Sequence, residues 1–215
     1  MIAQYPPMGW NSWDCFGAAV TEDQVRANAE YMARHLKPFG WEYVVVDIQW
    51  YQPTADSHEY APFSEECMDG FGRFIPAENR FPSAKGGAGF KPLSDYVHSL
   101  GMYWDLHCCG FVEGLVGLFA EAGYDSWGGQ PMNDKYKLKK LYGDKMLFTG
   151  HINCPPGTPP EEQDAIIKEF FDTIGEDNRV FVEPNRDCPE GFREKIYEAS
   201  RRNYDRLVAE GRVAE

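Results

Sequence analysis

The chain has 215 residues, of which 43% are hydrophobic and 15% aromatic, which is sufficient for one domain with a sizeable core. Its formal net charge of -13, without a cluster of Lys or Arg, argues against nucleic acid or an anionic membrane as a partner, because both require a concentrated basic surface. No apolar stretch reaches the length of a membrane span, and the first residues lack the pattern of a signal peptide. We therefore expect a soluble, cytoplasmic protein.

The six cysteines are spread along the whole chain. Disulfide frameworks are typical of small secreted domains that cannot build a large core. The spacing here therefore favours free thiols, with the option of one metal site.

The first predicted elements alternate between strand and helix. Residues 7–13, P-M-G-W-N-S-W, can form a short strand, and residues 21–24, T-E-D-Q, have the form of a capping box, which predicts a helix start. A helical stripe follows and ends near Pro38 and Gly40. Residues 43–47, Y-V-V-V-D, are continuously apolar until the final Asp, as expected for a parallel strand covered on both faces.

The middle of the chain begins with a long loop. Residues 53–88 are rich in Gly, Pro and polar side chains and show neither the helical nor the strand period, and loops of this length are usually functional or mobile. A helical stripe over 90–100 precedes a buried strand at 102–110, M-Y-W-D-L-H-C-C-G. Further helices separate three more predicted strands, near residues 124–127, 146–149 and 180–182.

This alternation predicts the fold class. We expect an α/β fold, a TIM-barrel-like (βα) repeat of parallel strands with about six βα units, in a single domain over residues 1–215 with a tail at 210–215. A glycine-rich phosphate loop does not follow the first strand, which disfavours a dinucleotide-binding sheet. A complete barrel has eight units, so six units leave two strand edges, which must close on each other, be covered by the loop at 53–88 or pair with another chain. Bulky side chains on the strands favour association over tight closure, so we expect a homodimer.

The first half of the chain resembles glycoside hydrolase family 27, the α-galactosidase-like enzymes. The resemblance covers residues 1–101 and rests on residues 7–13, on Y-V-V-V-D-I-Q-W at 43–50 and on G-R-F-I-P-A-E-N-R-F-P-S at 72–83. It implies a (βα)8 barrel whose sugar pocket includes Trp13 and Asp47, with Trp10, Asp14 and Trp50 nearby. Family members often carry a second acid after the strand-two aspartate, where this chain has Ile48. The tryptophans can equally be core residues.

The family's catalytic pair is an aspartate nucleophile after the fourth strand and an aspartate acid/base after the sixth. A retaining glycosidase needs both carboxyls about 5 Å apart. The motifs around those two positions have no match in this chain. Asp125 and Asp187 fall near strand ends by count, although lone surface aspartates are the commoner explanation.

The second half, residues 102–209, resembles the uroporphyrinogen decarboxylase superfamily, in particular its cobalamin-linked methyltransferases. The resemblance rests on H-C-C-G at 107–110, E-A-G-Y-D at 121–125, N-D-K-Y-K-L-K-K-L-Y-G at 133–143 and T-P-P-E-E at 158–162. It implies a zinc ion, held by His107, Cys109 and Cys188, that activates a substrate thiolate. One imidazole and two thiolates would leave a fourth tetrahedral position open. Inert packing of the cysteines remains the alternative.

Two half-domains that meet at one strand predict a recombined or designed barrel. Our first hypothesis is a chimera with no complete parental active site and no evolved catalytic activity. The alternatives are a zinc-thiolate methyltransferase and an α-galactosidase-like protein that binds or hydrolyses a sugar. A small-molecule sugar or thiol is the expected ligand in either alternative.

Overall fold

The computed structural model describes residues 7–59 and 63–213. Contacts divide the chain into two compact units. The amino-terminal unit is Pro7–Gln130, and the carboxyl-terminal unit is Pro131–Glu215 together with residues 1–6, which lie outside the described residues. The last two residues of the predicted tail, 214 and 215, also lie outside them. The single-domain assignment stays a prediction.

The amino-terminal unit contains four parallel strands in sequential order. They are β1 (Met8–Asn11), β2 (Trp41–Val46), β3 (Tyr103–Leu106) and β4 (Ser126–Trp127). The helices of this unit are α1 (Ser12–Phe16), α2 (Glu22–His35), α3 (Lys91–Ser99) and α4 (Val116–Glu121). The predicted capping box forms at the start of α2, where the Thr21 amide donates to Oε1 of Gln24 at 2.9 Å.

The two faces of this sheet differ in polarity. Strand alternation places Val44, Val46, Trp104, Leu106 and Trp127 on one face, where all five are buried. On that face the Trp104 ring contacts Phe90, which directly precedes α3. The opposite face, called here the polar face, carries Tyr43, Val45, Tyr103 and Asp105, which pair in register.

The carboxyl-terminal unit contains two parallel strands and three helices. Strands β5 (Leu147–Ile152) and β6 (Val180–Pro184) pair in register, and the helices are α5 (Lys135–Tyr142), α6 (Pro160–Asp172) and α7 (Phe192–Ala209). Ile152 and Val180 of the strands form one apolar cluster with Ile167, Phe170 and Phe192 of the helices.

Helix α6 begins one residue later than its sequence suggests. Thr158 has the residue type of an N-cap, but its hydroxyl donates to the Pro155 carbonyl at 2.7 Å, and Pro159 occupies the cap position. Six parallel strands alternating with helices confirm the predicted α/β, TIM-barrel-like repeat. Within the described ranges, no helix combines the length and apolar composition needed to cross a lipid bilayer.

The long segment after β2 is anchored by one buried arginine. The Arg80 guanidinium donates five hydrogen bonds to backbone carbonyls, to Val20 at 2.7 and 3.2 Å, to Gln49 at 2.9 Å, to Gln52 at 2.8 Å, and to Ala18. The Arg80 side chain thus ties the chain after α1 to the chain after β2. Burial lowers its pKa to about 10, so the guanidinium remains charged at neutral pH.

Replacing Arg80 by Met tests this anchor. We expect the free energy of unfolding to fall by roughly 3 to 5 kcal/mol, because four buried carbonyls lose their donor. Urea denaturation measures the change. The matched control is Arg34→Met, which removes an exposed pair with Glu30 and should cost less than about 0.5 kcal/mol. Equal effects of the two substitutions would contradict the anchoring role.

Candidate active site

The carboxyl ends of the strands in the amino-terminal unit bring several polar groups together. Asp47 directly follows β2, and its amide donates to the Ser12 hydroxyl just after β1, at 2.9 Å. The Asp47 side chain is buried, and its Oδ1 accepts from the Ile48 amide at 2.7 Å. In a parallel α/β sheet this edge is where ligands bind, so Asp47 occupies the expected position for a substrate contact.

Asp105 lies on the polar face of β3. Its register partners are Val45 of β2 and Ser126 of β4, and the Ser126 hydroxyl donates to its carboxylate. Burial raises the pKa of the Asp105 carboxyl, while the Ser126 hydrogen bond and the charge of His107 oppose the change. A half-buried carboxyl with a raised pKa keeps its proton to a higher pH than an exposed aspartate does.

Asp47 and Asp105 are diagonal neighbours on adjacent strands. Val45 of β2 pairs with Asp105 of β3, so Asp47 lies beside β3 and two residues beyond Asp105 in the strand direction. Strand spacing and rise place their Cα atoms about 8 Å apart. This separation lets the two carboxyls act on one small ligand.

Asp105 was missed by the sequence analysis. The signal that could have found it is the alternation Tyr103, Asp105, His107 along one strand, which places all three residues on the same face. His107 and the cysteines, which follow the strand, were more conspicuous because they are residue types that bind metals. An acid inside an apolar strand was a stronger signal than those neighbours, because an unpaired carboxylate is costly to bury.

The residues predicted to bind sugar do not share one environment, since some pack in the unit and others lie at its surface. Trp10 shares the apolar face with its register partner Val44, and its ring meets Phe16 edge-on at 6.2 Å. Trp50 packs against Phe90 at 5.2 Å. These two tryptophans therefore contribute to packing within the amino-terminal unit.

Trp13 and Asp14 lie at the start of α1. The Trp13 ring contacts His58 at 5.1 Å, and the Trp13 carbonyl lies 2.7 Å from Nε2 of the same histidine. Asp14 is exposed in the first turn of the helix. The proposed sugar contacts of Trp10, Trp13, Asp14, Asp47 and Trp50 stay predictions.

Two of the three predicted zinc ligands meet in the amino-terminal unit. Sγ of Cys109 lies 3.4 Å from Nε2 of His107. Cys188 is a free, partly buried thiol of the carboxyl-terminal unit. Desolvation and the charge of Asp47 raise the pKa of the Cys109 thiol, which disfavours the thiolate that zinc requires.

Over residues 7–59 and 63–213, no group of three or more His, Cys, Asp or Glu side chains is arranged to hold a metal ion. Zinc binding stays a prediction, and elemental analysis of the parent chain beside a Cys109→Ser, Cys188→Ser variant would check it.

The other two aspartates noted near strand ends have structural partners. The Asp125 carboxylate accepts from the Trp104 amide at 2.7 Å and pairs with Nε2 of His98 at 2.7 Å, at the amino end of β4. Asp187 is exposed, and its Oδ1 accepts from the Asn185 side chain at 2.9 Å. The hydrogen bond from Asn185 lowers the pKa of the Asp187 carboxyl.

In the carboxyl-terminal unit, an ionisable side chain of β6 interacts with one on β5 and one on α5. His151 and Glu183 pair in register on β5 and β6, with Nδ1 and Oε2 3.3 Å apart. Lys135, at the start of α5, is buried, and desolvation lowers the pKa of its ammonium to about 8 although the charge of Glu183 opposes the change. A buried ammonium with a lowered pKa destabilises the fold near neutral pH.

The chain is similar to glycoside hydrolases of family 27. A β-L-arabinopyranosidase of that family from Geobacillus stearothermophilus, solved with arabinose, is 34% identical, with a TM-score of 0.61 over 83% of this chain and 52% of that one. The α-galactosidase of Cyamopsis tetragonoloba is 36% identical over 102 residues, which is 47% of this chain and 20% of that protein. No family model matches the chain.

The similarity continues beyond the predicted junction at Met102. A probable α-galactosidase B from Talaromyces emersonii aligns over 192 residues at 24% identity, covering 87% of this chain and 35% of that protein. The hypothesis of a chimera without a complete active site and without catalytic activity is therefore wrong. It failed because βα units of different barrel families share one strand-helix pattern, so a local likeness in the second half was overinterpreted.

The resemblance of the second half to methyltransferases is not confirmed. A methyltransferase from Methanosarcina mazei is 15% identical with a TM-score of 0.45, which is too distant to carry an argument. The chain spans only about half, or less, of the proteins to which it is similar.

Replacing Lys135 by Met should remove a pH dependence of stability. In the folded chain the Lys135 ammonium deprotonates near pH 8, whereas a solvent-exposed lysine has a pKa of 10.5. The unfolded chain therefore binds more protons between these two pH values. The parent should therefore gain stability as the pH rises from about 8 to about 10, and Lys135→Met should lose this gain. Urea denaturation at several pH values measures the slope. Lys145→Met, at an exposed position, is the control, and a slope equal to the parent's in Lys135→Met would contradict the assignment.

Proposed function

We propose that the chain acts as a glycoside hydrolase on α-D-galactosides or β-L-arabinopyranosides. The observation that carries this proposal is the 34% identity over most of the chain to a β-L-arabinopyranosidase, together with the α-galactosidase relatives. At the polar face, Asp105 supplies one of the two carboxyl groups that such chemistry requires, and Asp47 supplies a carboxylate that can bind ring hydroxyls.

The two sugars share the arrangement of their ring hydroxyls and differ in one substituent. A galactoside carries a hydroxymethyl group that an arabinopyranoside lacks. Ile48, directly after Asp47, offers an apolar side chain where an acid would accept a hydrogen bond from that group. Burying an unpaired hydroxyl against an apolar side chain is costly, so we favour the arabinopyranoside as the better substrate.

We assign different tasks to the two carboxylates. Asp47 is held through its backbone amide by Ser12 and follows the strand end, a position suited to accepting hydrogen bonds from ring hydroxyls. Asp105 is half-buried on the polar face with Ser126 as donor, a position suited to delivering a proton to the leaving oxygen. Substrate binding would exclude water from Asp105 and keep its proton available.

Kinetics of two amide variants test these tasks. With nitrophenyl β-L-arabinopyranoside, Asp47→Asn should raise KM and leave kcat within about threefold, whereas Asp105→Asn should lower kcat about 100-fold or more. A better leaving group, such as dinitrophenolate, should restore much of the rate of Asp105→Asn, because it needs less protonation. Asp95→Asn, an exposed carboxylate of α3, is the control and should match the parent.

The possible results distinguish the proposed hydrolase function from the roles assigned to Asp47 and Asp105. Turnover that survives stringent purification and falls in Asp105→Asn supports the hydrolase. Hydrolysis by the parent that is unaffected by either substitution would retain the function and remove the assigned roles. Absence of turnover of both glycosides by the parent would overturn the proposal.

A further inference from the structure

The segment after β2 contains a short hairpin with exposed aromatic side chains. We call residues 67–75 the aromatic hairpin; Met68 and Phe74 form its antiparallel bridge. The Phe71 side chain at its tip is 86% exposed, and Phe74 is 44% exposed. An apolar ring this exposed costs free energy unless something covers it in use.

The hairpin is firmly built, so its rings are held in place. Oδ1 of Asp69 accepts from the amides of Phe71 at 2.8 Å and Arg73 at 3.0 Å, and the Arg73 side chain donates to Oδ2 at 2.7 Å. The Asp69 amide donates to the Arg73 carbonyl at 2.9 Å. The carboxylate of Asp69 therefore fixes the whole tip, and its pKa is lowered by these hydrogen bonds.

Each exposed ring has one face backed by a neighbour. The Arg73 guanidinium lies 5.2 Å from the centre of the Phe71 ring. The Phe74 ring stacks on Tyr51 with centroids 4.0 Å apart and planes at 10°. With one face backed, each ring offers its other face outward. Flat apolar faces held in this way suit stacking on a flat ligand.

The hairpin is attached next to the candidate active site. The Cys67 amide donates to the Tyr51 carbonyl at 2.8 Å, and Tyr51 follows Asp47 by four residues. Four residues span at most about 14 Å, so Tyr51, to which the base of the hairpin is hydrogen-bonded, lies within that distance of Asp47. The hairpin belongs to the segment that leaves the carboxyl end of β2, which is the end of the sheet where the sugar would bind.

We propose that the aromatic hairpin is an additional binding site for the sugar chain that carries the cleaved residue. The occupant is a neutral, galactose-branched or arabinose-branched polysaccharide, whose pyranose rings stack on Phe71 and Phe74. The net charge of -13 disfavours an anionic polymer and a second copy of the chain, and Arg73 is already paired with Asp69. This inference rests on the proposed glycosidase function for the identity of the ligand.

Direct binding, without turnover, tests the inference. The probe is soluble galactomannan, held in the gel during affinity electrophoresis. Free arabinose, the smallest ligand tested, is added as a competitor. Phe71→Ala should weaken galactomannan binding about tenfold, and the Phe71→Ala, Phe74→Ala double variant should weaken it further. Phe39→Ala is the matched control, because Phe39 is 73% exposed but precedes β2, at the other end of the strand.

Kinetics distinguish this inference from the proposed function. Turnover of nitrophenyl β-L-arabinopyranoside should be affected much less than polymer binding in Phe71→Ala, since a small aryl glycoside lacks the further sugar units that would stack on the hairpin. Loss of polymer binding in Phe71→Ala without any turnover by the parent would support the hairpin and overturn the hydrolase. Polymer binding equal in the parent, Phe71→Ala and Phe39→Ala would overturn the inference. So would light scattering that shows a parent dimer and a Phe71→Ala monomer with unchanged polymer binding.

Discussion

The buried guanidinium of Arg80 is the constraint on which the amino-terminal unit depends. After β2 the chain leaves the sheet for a long segment whose described residues contain one 3-10 helix, Pro82–Gly87, and one isolated antiparallel bridge. Few regular hydrogen bonds therefore fix its position. Arg80 fixes it by binding carbonyls on both sides, at Ala18 and Val20 after α1 and at Gln49 and Gln52 after β2. A planar side chain with five donors can make these contacts at once, and a lysine cannot.

A second constraint comes from the sheet itself. Parallel strands in register assign every residue to one face, and in this unit the apolar face is occupied by buried tryptophans and valines. The polar face is left with the tyrosines and with Asp105, whose carboxylate is satisfied by Ser126. The chemistry of the candidate site therefore follows from the same alternation that builds the core. A one-residue slip of β3 would exchange Asp105 for an apolar neighbour.

Much of the fold could be predicted from local patterns, because those patterns have local causes. The apolar run at 43–47 and the capping box at 21–24 depend on neighbouring residues, and both appear in the structure. The start of α6 could not be predicted as well, because the Thr158 hydroxyl can either accept from a backbone amide as an N-cap or donate to the Pro155 carbonyl, and in the structure it donates to Pro155. Arg80 was overlooked for a similar reason, since its acceptors are carbonyls far along the chain.

The candidate site was predictable only in part. Asp47 was found through the resemblance of residues 43–50 to glycoside hydrolase family 27, whereas Asp105 lies inside an apolar strand and was passed over for the more conspicuous His107 and Cys109. The functional hypothesis was wrong where it relied on motifs of the second half. Motifs in loops after strands vary between barrel families, while the register of a strand is set by its whole length.

Two of the links that hold the long segment differ in their response to acid. The acceptors of Arg80 are carbonyl oxygens, which do not titrate, so this link persists at any pH below about 10. Glu22 provides the other link, since its Oε2 accepts from the Ser83 amide at 2.9 Å. Although burial acts to raise it, the pKa of Glu22 is lowered by hydrogen bonds from Ser83 and Arg26, so this contribution is lost as the pH falls through that value. In an acidic compartment the segment would loosen at Ser83 first, while its attachment beside Asp47 stayed closed.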